Sequence, residues 1–140
     1  MTEEKRIQGK KNRAAGKAFE RKVRADLEEK GWTVSKWGNN VNLTLKKMEP
    51  AKSQFNPYFK RIIGEGSGFP DFITFRYGNS CDCGHECGHI EGVECKLGKY
   101  LDAEEKEKCA WLLENKIFSR LLIAYPGKKR GEIIYEDFKG

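Results

Sequence analysis

Apolar residues at Ala15, Phe19, Val23 and Leu27 recur at helical spacing and predict a helix over about 13–30, with Gly31 placed to end it. Glu20 precedes Val23 by three residues and Leu27 by seven, so it borders the buried face. A strand follows at Trp32–Trp37. Further on, Phe72, Ile73, Phe75 and Tyr77 carry the aromatic and β-branched density of a strand, and Ile90–Lys96 reads as another. Successive side chains of a strand alternate faces, so Glu94 and Lys96 share one face while Cys95 takes the other. Asp102-Ala103-Glu104-Glu105 forms a capping box that opens a helix of about 14 residues, with Cys109, Leu112 and Leu113 turned inward. Ser119–Tyr125 is a continuous apolar strand, residues 126–131 make a basic turn, and Glu132–Phe138 is an edge strand. The order helix, strand, strand, strand, helix, strand, strand predicts an α/β domain occupying the whole of residues 1–140.

Two stretches lack a clear period. Residues 1–12 are polar and Lys-rich and are expected to form a frayed basic arm. Residues 38–68 are longer than an ordinary connection. They combine Asn39, Asn40 and Asn42 with Lys46 and Lys47, the aromatics Phe55, Tyr58 and Phe59, and the basic pair Lys60-Arg61. Basic and aromatic residues so interleaved suit a surface that neutralises phosphates and stacks on bases. They equally suit a loop tucked onto the core. The stretch ends in Gly64-Glu65-Gly66-Ser67-Gly68, where missing side-chain bulk lets backbone approach a phosphate.

Composition sharpens this picture. Hydrophobic residues make up 38% and charged residues 34%, which excludes a disordered chain. No apolar run approaches the ~20 residues of a membrane span, and the first residues are not a signal peptide, so no membrane partner and a cytoplasmic location are expected. Abundant Lys and Glu with few Gln suit a thermophilic source. The net charge of +6 is unevenly spread. Residues 1–61 hold 16 Lys/Arg against 7 Asp/Glu, and the remainder hold 11 against 14. The basic part is expected to meet nucleic acid and the acidic part to hold metal.

An acid two residues before a Lys occurs seven times, mostly on solvated helix faces, so the tripeptide alone says little. The copy at Glu94-Cys95-Lys96 differs. It lies in a strand pattern, and Pro70-Asp71, the single Pro-Asp pair, opens the strand before it. Two carboxylates at adjoining strand ends with an amine beside them make a compact divalent-metal site. With Pro70-Asp71 and Glu94-Cys95-Lys96 the chain resembles the PD-(D/E)XK nuclease superfamily. The series Gly16, Phe19-Glu20-Arg21, Leu27 and Gly31-Trp32-Thr33-Val34 is similar to the opening of archaeal Holliday-junction resolvases.

The resemblance implies a restriction-endonuclease-like core, a central mixed sheet of four to five strands flanked by helices. It implies a DNA endonuclease dependent on Mg²⁺ or Mn²⁺, with Asp71 and Glu94 as metal ligands, the Cys95 backbone carbonyl as a third and Lys96 as the catalytic amine. Glu20 is then a further acid; the other reading makes it an i,i+4 partner for Arg24. Ser67 becomes a secondary catalytic candidate and Glu65 an extra ligand. Arg13, Lys17, Lys36, Lys46, Lys47, Lys60, Arg61 and Lys99 are the candidate DNA contacts. Junction resolution additionally requires a homodimer to place two cuts.

Between the two site strands lies Cys81-Asp82-Cys83-Gly84-His85-Glu86-Cys87-Gly88-His89. Three thiols and two imidazoles in so polar a segment predict a structural zinc clasp over 79–90, held by Cys81, Cys83, Cys87 and His89 with His85 as the alternate. Cys95 and Cys109 fall at buried-looking positions. Two rivals stand beside the nuclease: a protein of the same fold that binds nucleic acid without cutting it, and a zinc-containing interaction module whose acids form salt bridges.

Overall fold

The computed structural model describes residues 2–52, 54–56, 58, 61–64, 68–76 and 89–139. In chain order the elements are α1 (Glu3–Glu29), β1 (Thr33–Lys36), β2 (Asn39–Asn42), β3 (Lys47–Pro50), β4 (Gln54–Asn56) and β5 (Arg61–Gly64). They continue with β6 (Phe72–Phe75), β7 (Ile90–Cys95), α2 (Ala103–Glu114), β8 (Arg120–Pro126) and β9 (Ile133–Asp137). Five strands form one mixed sheet in the order β1-β6-β7-β8-β9. Its pairs are antiparallel except β7 with β8, and α2 is the crossover that a parallel pair requires. The architecture is α/β, with a helix packed against each face.

Strand alternation divides the core into two layers. Val34, Phe72, Val93, Leu122 and Ala124 pack under Phe19, Val23 and Leu27 of α1. On the opposite face Phe69, Phe118 and Leu121 meet Cys109 and Leu112 of α2. Leu121 and Leu122, neighbours in β8, thus serve different layers, which is why that strand reads as continuously apolar.

Helix α1 corrects one expectation. It begins at Glu3, so residues 3–12 are helical rather than a frayed arm. The Thr2 side chain caps it by accepting from Lys5 N–H, and Glu3 and Glu4 lie in the first turn, where acids favour the helix dipole. No proline interrupts the run.

The stretch expected to be one long connection instead contains two hairpins, β2–β3 and β4–β5. The first is tied down by Val41, which is buried against the α2 layer with Leu43 and Met48 packed around it. Gly68 closes this region against β1: a Cβ there would lie 2.0 Å from the Trp37 carbonyl oxygen, so only glycine allows the approach. The Phe69 amide then bonds the Asn39 carbonyl at 2.9 Å. Tyr58 stands 86% exposed rather than packed on the core.

Most of the Cys/His-rich segment lies outside the described residues, including Cys81, Cys83, His85 and Cys87; His89 is described, at the entry to β7. Ser67, Glu65, Lys60 and Phe59 also lie outside them. No described helix is long and apolar enough to cross a membrane.

Candidate functional site

The site forms where β6 begins and β7 ends. Phe72 pairs with Val93 across the antiparallel ladder, and extending that register by one residue sets Asp71 opposite Glu94. Three backbone features hold the approach to Asp71. Its carbonyl accepts from Trp37 N–H at 3.1 Å, Pro70 before it is fully buried, and Gly92 leaves room for the proline ring. A Cβ on Gly92 would lie 2.8 Å from Pro70 Cγ. The Asp71 carboxylate is then oriented by the Cys95 N–H, which donates to Oδ2 at 2.8 Å. Cys95 therefore meets the site through its amide. Its thiol faces the α1 layer and is free, as is the thiol of fully buried Cys109.

Glu94 is 5% exposed. Burial pushes its carboxyl well above the ordinary range, and Asp71, near enough to share a proton with it, pushes further; Lys96 opposes both. Glu94 Oε2 is buried and has no hydrogen-bond partner among the described residues. Such an acceptor costs free energy unless something comes to it. Glu20, half-buried on α1, is raised by burial first and by Asp71 second, with Lys36, Lys17 and Arg21 opposing. The Arg24 guanidinium pairs with Glu28 at 2.9 Å, so Glu20 is not its partner.

Lys96 has a further partner, one that its own strand does not supply. Its ammonium pairs directly with the Glu105 carboxylate in the first turn of α2. The other Glu105 oxygen accepts from Asp102 N–H at 3.0 Å, while the Asp102 side chain accepts from Glu105 N–H at 2.8 Å. Glu105 thus completes the capping box and holds the lysine. Burial pulls the Lys96 pKa down, but the Glu105 contact and the fields of Glu94 and Asp71 outweigh it, so the net direction is upward and the amine stays charged.

Among the described residues no group of three or more His, Cys, Asp or Glu is gathered closely enough to hold a metal ion. Asp71 and Glu94 form a pair, and Glu20 is near enough for its charge to be felt. A pair suffices for Mg²⁺, which retains water and is bound through one or two carboxylates with substrate phosphate completing its shell. The hard oxygen donors and the unpartnered Glu94 Oε2 fit that ion.

Of the proposed DNA contacts, Lys17 and Lys36 are exposed and lie within the field of Glu20; Arg13 is exposed further up α1. Lys46 and Lys47 stand exposed at the turn of the β2–β3 hairpin. Lys99 is exposed with positive φ, its amine 5.4 Å from the Tyr125 ring centroid. Arg61 lies in β5. Two residues of the site escaped the sequence reading. Arg21 was hidden by its ordinary place on a charged helix. Glu105 was visible only as a cap, because its second partner comes from another element. Compared with known proteins, the chain matches no family model, no curated protein and no solved structure at a significant level.

Proposed function

We propose that this protein is a metal-dependent endonuclease that hydrolyses DNA phosphodiester bonds, with the α/β core serving as a restriction-endonuclease-like scaffold of the PD-(D/E)XK type. The observation that carries the reading is the Asp71–Glu94 pair, with its buried, unpartnered Glu94 oxygen and the Lys96 amine beside it. A salt bridge built for stability would leave no such oxygen bare.

In this reading Asp71 and Glu94 hold Mg²⁺ or Mn²⁺, with the Cys95 carbonyl as a further donor and Glu20 as an outer acid. A divalent ion held there would supply charge stabilisation at the phosphoryl oxygen and a more acidic water. The chain's own groups do the rest. The Cys95 N–H fixes the Asp71 carboxylate, and Glu105 holds the Lys96 ammonium, leaving its other N–H groups to orient the attacking water and stabilise charge building on the phosphate. Lys17, Arg21 and Lys36 draw the polyanion toward the acids. Ser67 and Glu65 are auxiliary candidates beside the Pro-Asp segment. The Cys81, Cys83, Cys87 and His89 set, with His85 as alternate, is proposed to hold a structural zinc that clasps the connection between β6 and β7. A junction-resolving role belongs to the same proposal and adds a homodimer.

The test is digestion of supercoiled, linear, single-stranded, flapped and four-way DNA with Mg²⁺ or Mn²⁺, with and without EDTA. Asp71→Asn and Lys96→Met are each expected to reduce cleavage by about 10³-fold, the order implied by removing several kcal/mol of transition-state stabilisation. Wild-type rates in both variants, with folding unchanged, would remove the assignment. DNA binding without cleavage of any substrate would favour the non-cutting rival.

A further inference from the structure

Helix α1 is much longer than its packing requires. Its buried residues are Phe19, Val23 and Leu27, and none of residues 3–18 is buried. Glu20 lies in the fields of Asp71 and Lys36, at the sheet end where β1 finishes and β6 begins. The chain turns back tightly from α1 into β1, with Trp32 N–H bonded to the Leu27 carbonyl at 3.0 Å. The residues before Phe19 therefore run beyond the sheet on the side of the acids.

That projecting segment carries an ordered charge pattern. Arg6, Lys10, Arg13 and Lys17 follow at intervals of four, three and four, and three more residues reach Glu20. On a helix these positions share one face, so a stripe of cations leads to the site. All four are exposed. Arg6 has Glu3 at 3.9 Å with both side chains largely in solvent, and among the described residues no ion pair engages Lys10, Arg13 or Lys17. With a rise of 1.5 Å per residue, Arg6 to Glu20 spans roughly 21 Å. Duplex DNA advances about 3.4 Å per base pair, so the stripe matches about six base pairs.

We propose that this face of α1 tracks the phosphate backbone of duplex DNA for about six base pairs to one side of the scissile bond. The direction relative to the cut rests on the nuclease reading; the binding surface itself does not. Backbone contacts of this kind position without reading sequence, so the rail favours long duplex over short duplex of any sequence.

Two charge-matched triples test it: Arg6→Gln with Lys10→Gln and Arg13→Gln on the stripe, and Lys5→Gln with Lys11→Gln and Lys22→Gln on other faces of the same helix. Gln keeps helix propensity, and all six sites are exposed, so both fold. Affinity for a labelled 20-base-pair duplex is measured in EDTA by fluorescence anisotropy across a salt series, with sizing chromatography alongside. Each phosphate contact contributes about 0.9 to the slope of log K against log salt, so the stripe triple should lose roughly 2.7 and the other triple less than about 1. Equal slope changes would overturn the proposal, because charge alone would then explain them. An altered oligomeric state with unchanged DNA affinity assigns the face to a second copy and also overturns it. If the wild type cleaves DNA while the stripe triple binds normally, the rail fails and the nuclease reading stands. If the wild type neither binds nor cleaves any DNA, both fail.

Discussion

Glu94→Gln exchanges one oxygen for an amide nitrogen in a residue 5% exposed, so shape is kept and charge is lost. In the wild type the carboxyl is opposed first by burial and then by Asp71, and among the described residues nothing donates to its Oε2. A buried acceptor without a partner costs about 1–3 kcal/mol. The variant's amide removes the like charge and offers an N–H to the Asp71 carboxylate, so in metal-free buffer it should be more stable by about that amount. At about 4 °C per kcal/mol for a chain of this size, the melting temperature rises by roughly 4–12 °C. The pH dependence has a definite sign. A carboxyl whose folded pKa lies above its unfolded value withdraws stability as pH climbs from the unfolded carboxylate range, near 4.5, up through the folded value. The gap between the proteins is therefore widest at alkaline pH and closes on acidification. If the pair holds metal as proposed, added Mg²⁺ should do the reverse. At a hundredfold excess over Kd a ligand stabilises by about 2.7 kcal/mol, available to the wild type and largely lost to the variant. Calorimetry from pH 4.5 to 8.5, in EDTA and in Mg²⁺, measures all of this together with cleavage. A variant no more stable than wild type at pH 8 without metal, or a gap that grows as pH falls, would refute the account of Glu94.

Gly92→Ala places a Cβ 2.6 Å from Leu121 Cδ2 and 2.8 Å from Pro70 Cγ; it should cost about 1–3 kcal/mol by chemical denaturation and weaken cleavage by displacing Pro70 and with it Asp71. Gly16→Ala, where an added Cβ meets nothing within 4 Å, should instead stabilise by about 0.5–1 kcal/mol, and equal effects at both sites would discredit the packing argument. Glu105→Gln keeps the capping box, since Gln serves at that position, but surrenders the charge that holds Lys96. The expected result is a stability change under about 1 kcal/mol with a fall of about 10²-fold in kcat and little change in KM, and an unaltered kcat would deny Glu105 a positioning role.

Much of the fold was legible because burial imposes periods on the sequence. Phe19, Val23 and Leu27 mark the inner face of α1, and the apolar run before Pro126 marks a strand buried on both sides. The Asp71–Glu94 pairing was legible for a more specific reason: one residue opens a strand and the other nearly closes the next, and an antiparallel pair brings such ends together. The first turns of α1 were not legible. An uncontacted helix leaves no apolar period, and this one depends on a cap, an acidic first turn and the absence of a breaker. The β2–β3 hairpin was hidden likewise, since Val41 is its single fully buried side chain and its other positions are half-exposed or polar. The Lys96–Glu105 contact depends on where the β7–β8 crossover sets the start of α2 against β7, which no local pattern encodes.

The placement of the acids sets position against stability. Glu94 follows fully buried Val93 in a strand paired on both sides, with Ile123 opposite it in β8. On a loop, Glu94 could swing away from Asp71 and regain water, and neither carboxyl would be held in place. Glu94 is fixed by its central strand, and Asp71, just before β6, is held by the Trp37 and Cys95 amides, so their repulsion persists and the surrounding core must offset it. Under the proposed nuclease reading these carboxyls need placement to within a fraction of an ångström, which strands supply and loops do not. The cations here do not abolish the conflict. Lys96 is committed to Glu105, and Lys17, Lys36 and Arg21 act on Glu20 from exposed positions where water screens them. The unrelieved charge is thus concentrated on Asp71 and Glu94, where a divalent cation relieves it most. It follows that a variant neutralised at this pair should gain thermal stability through the same change that removes its metal response.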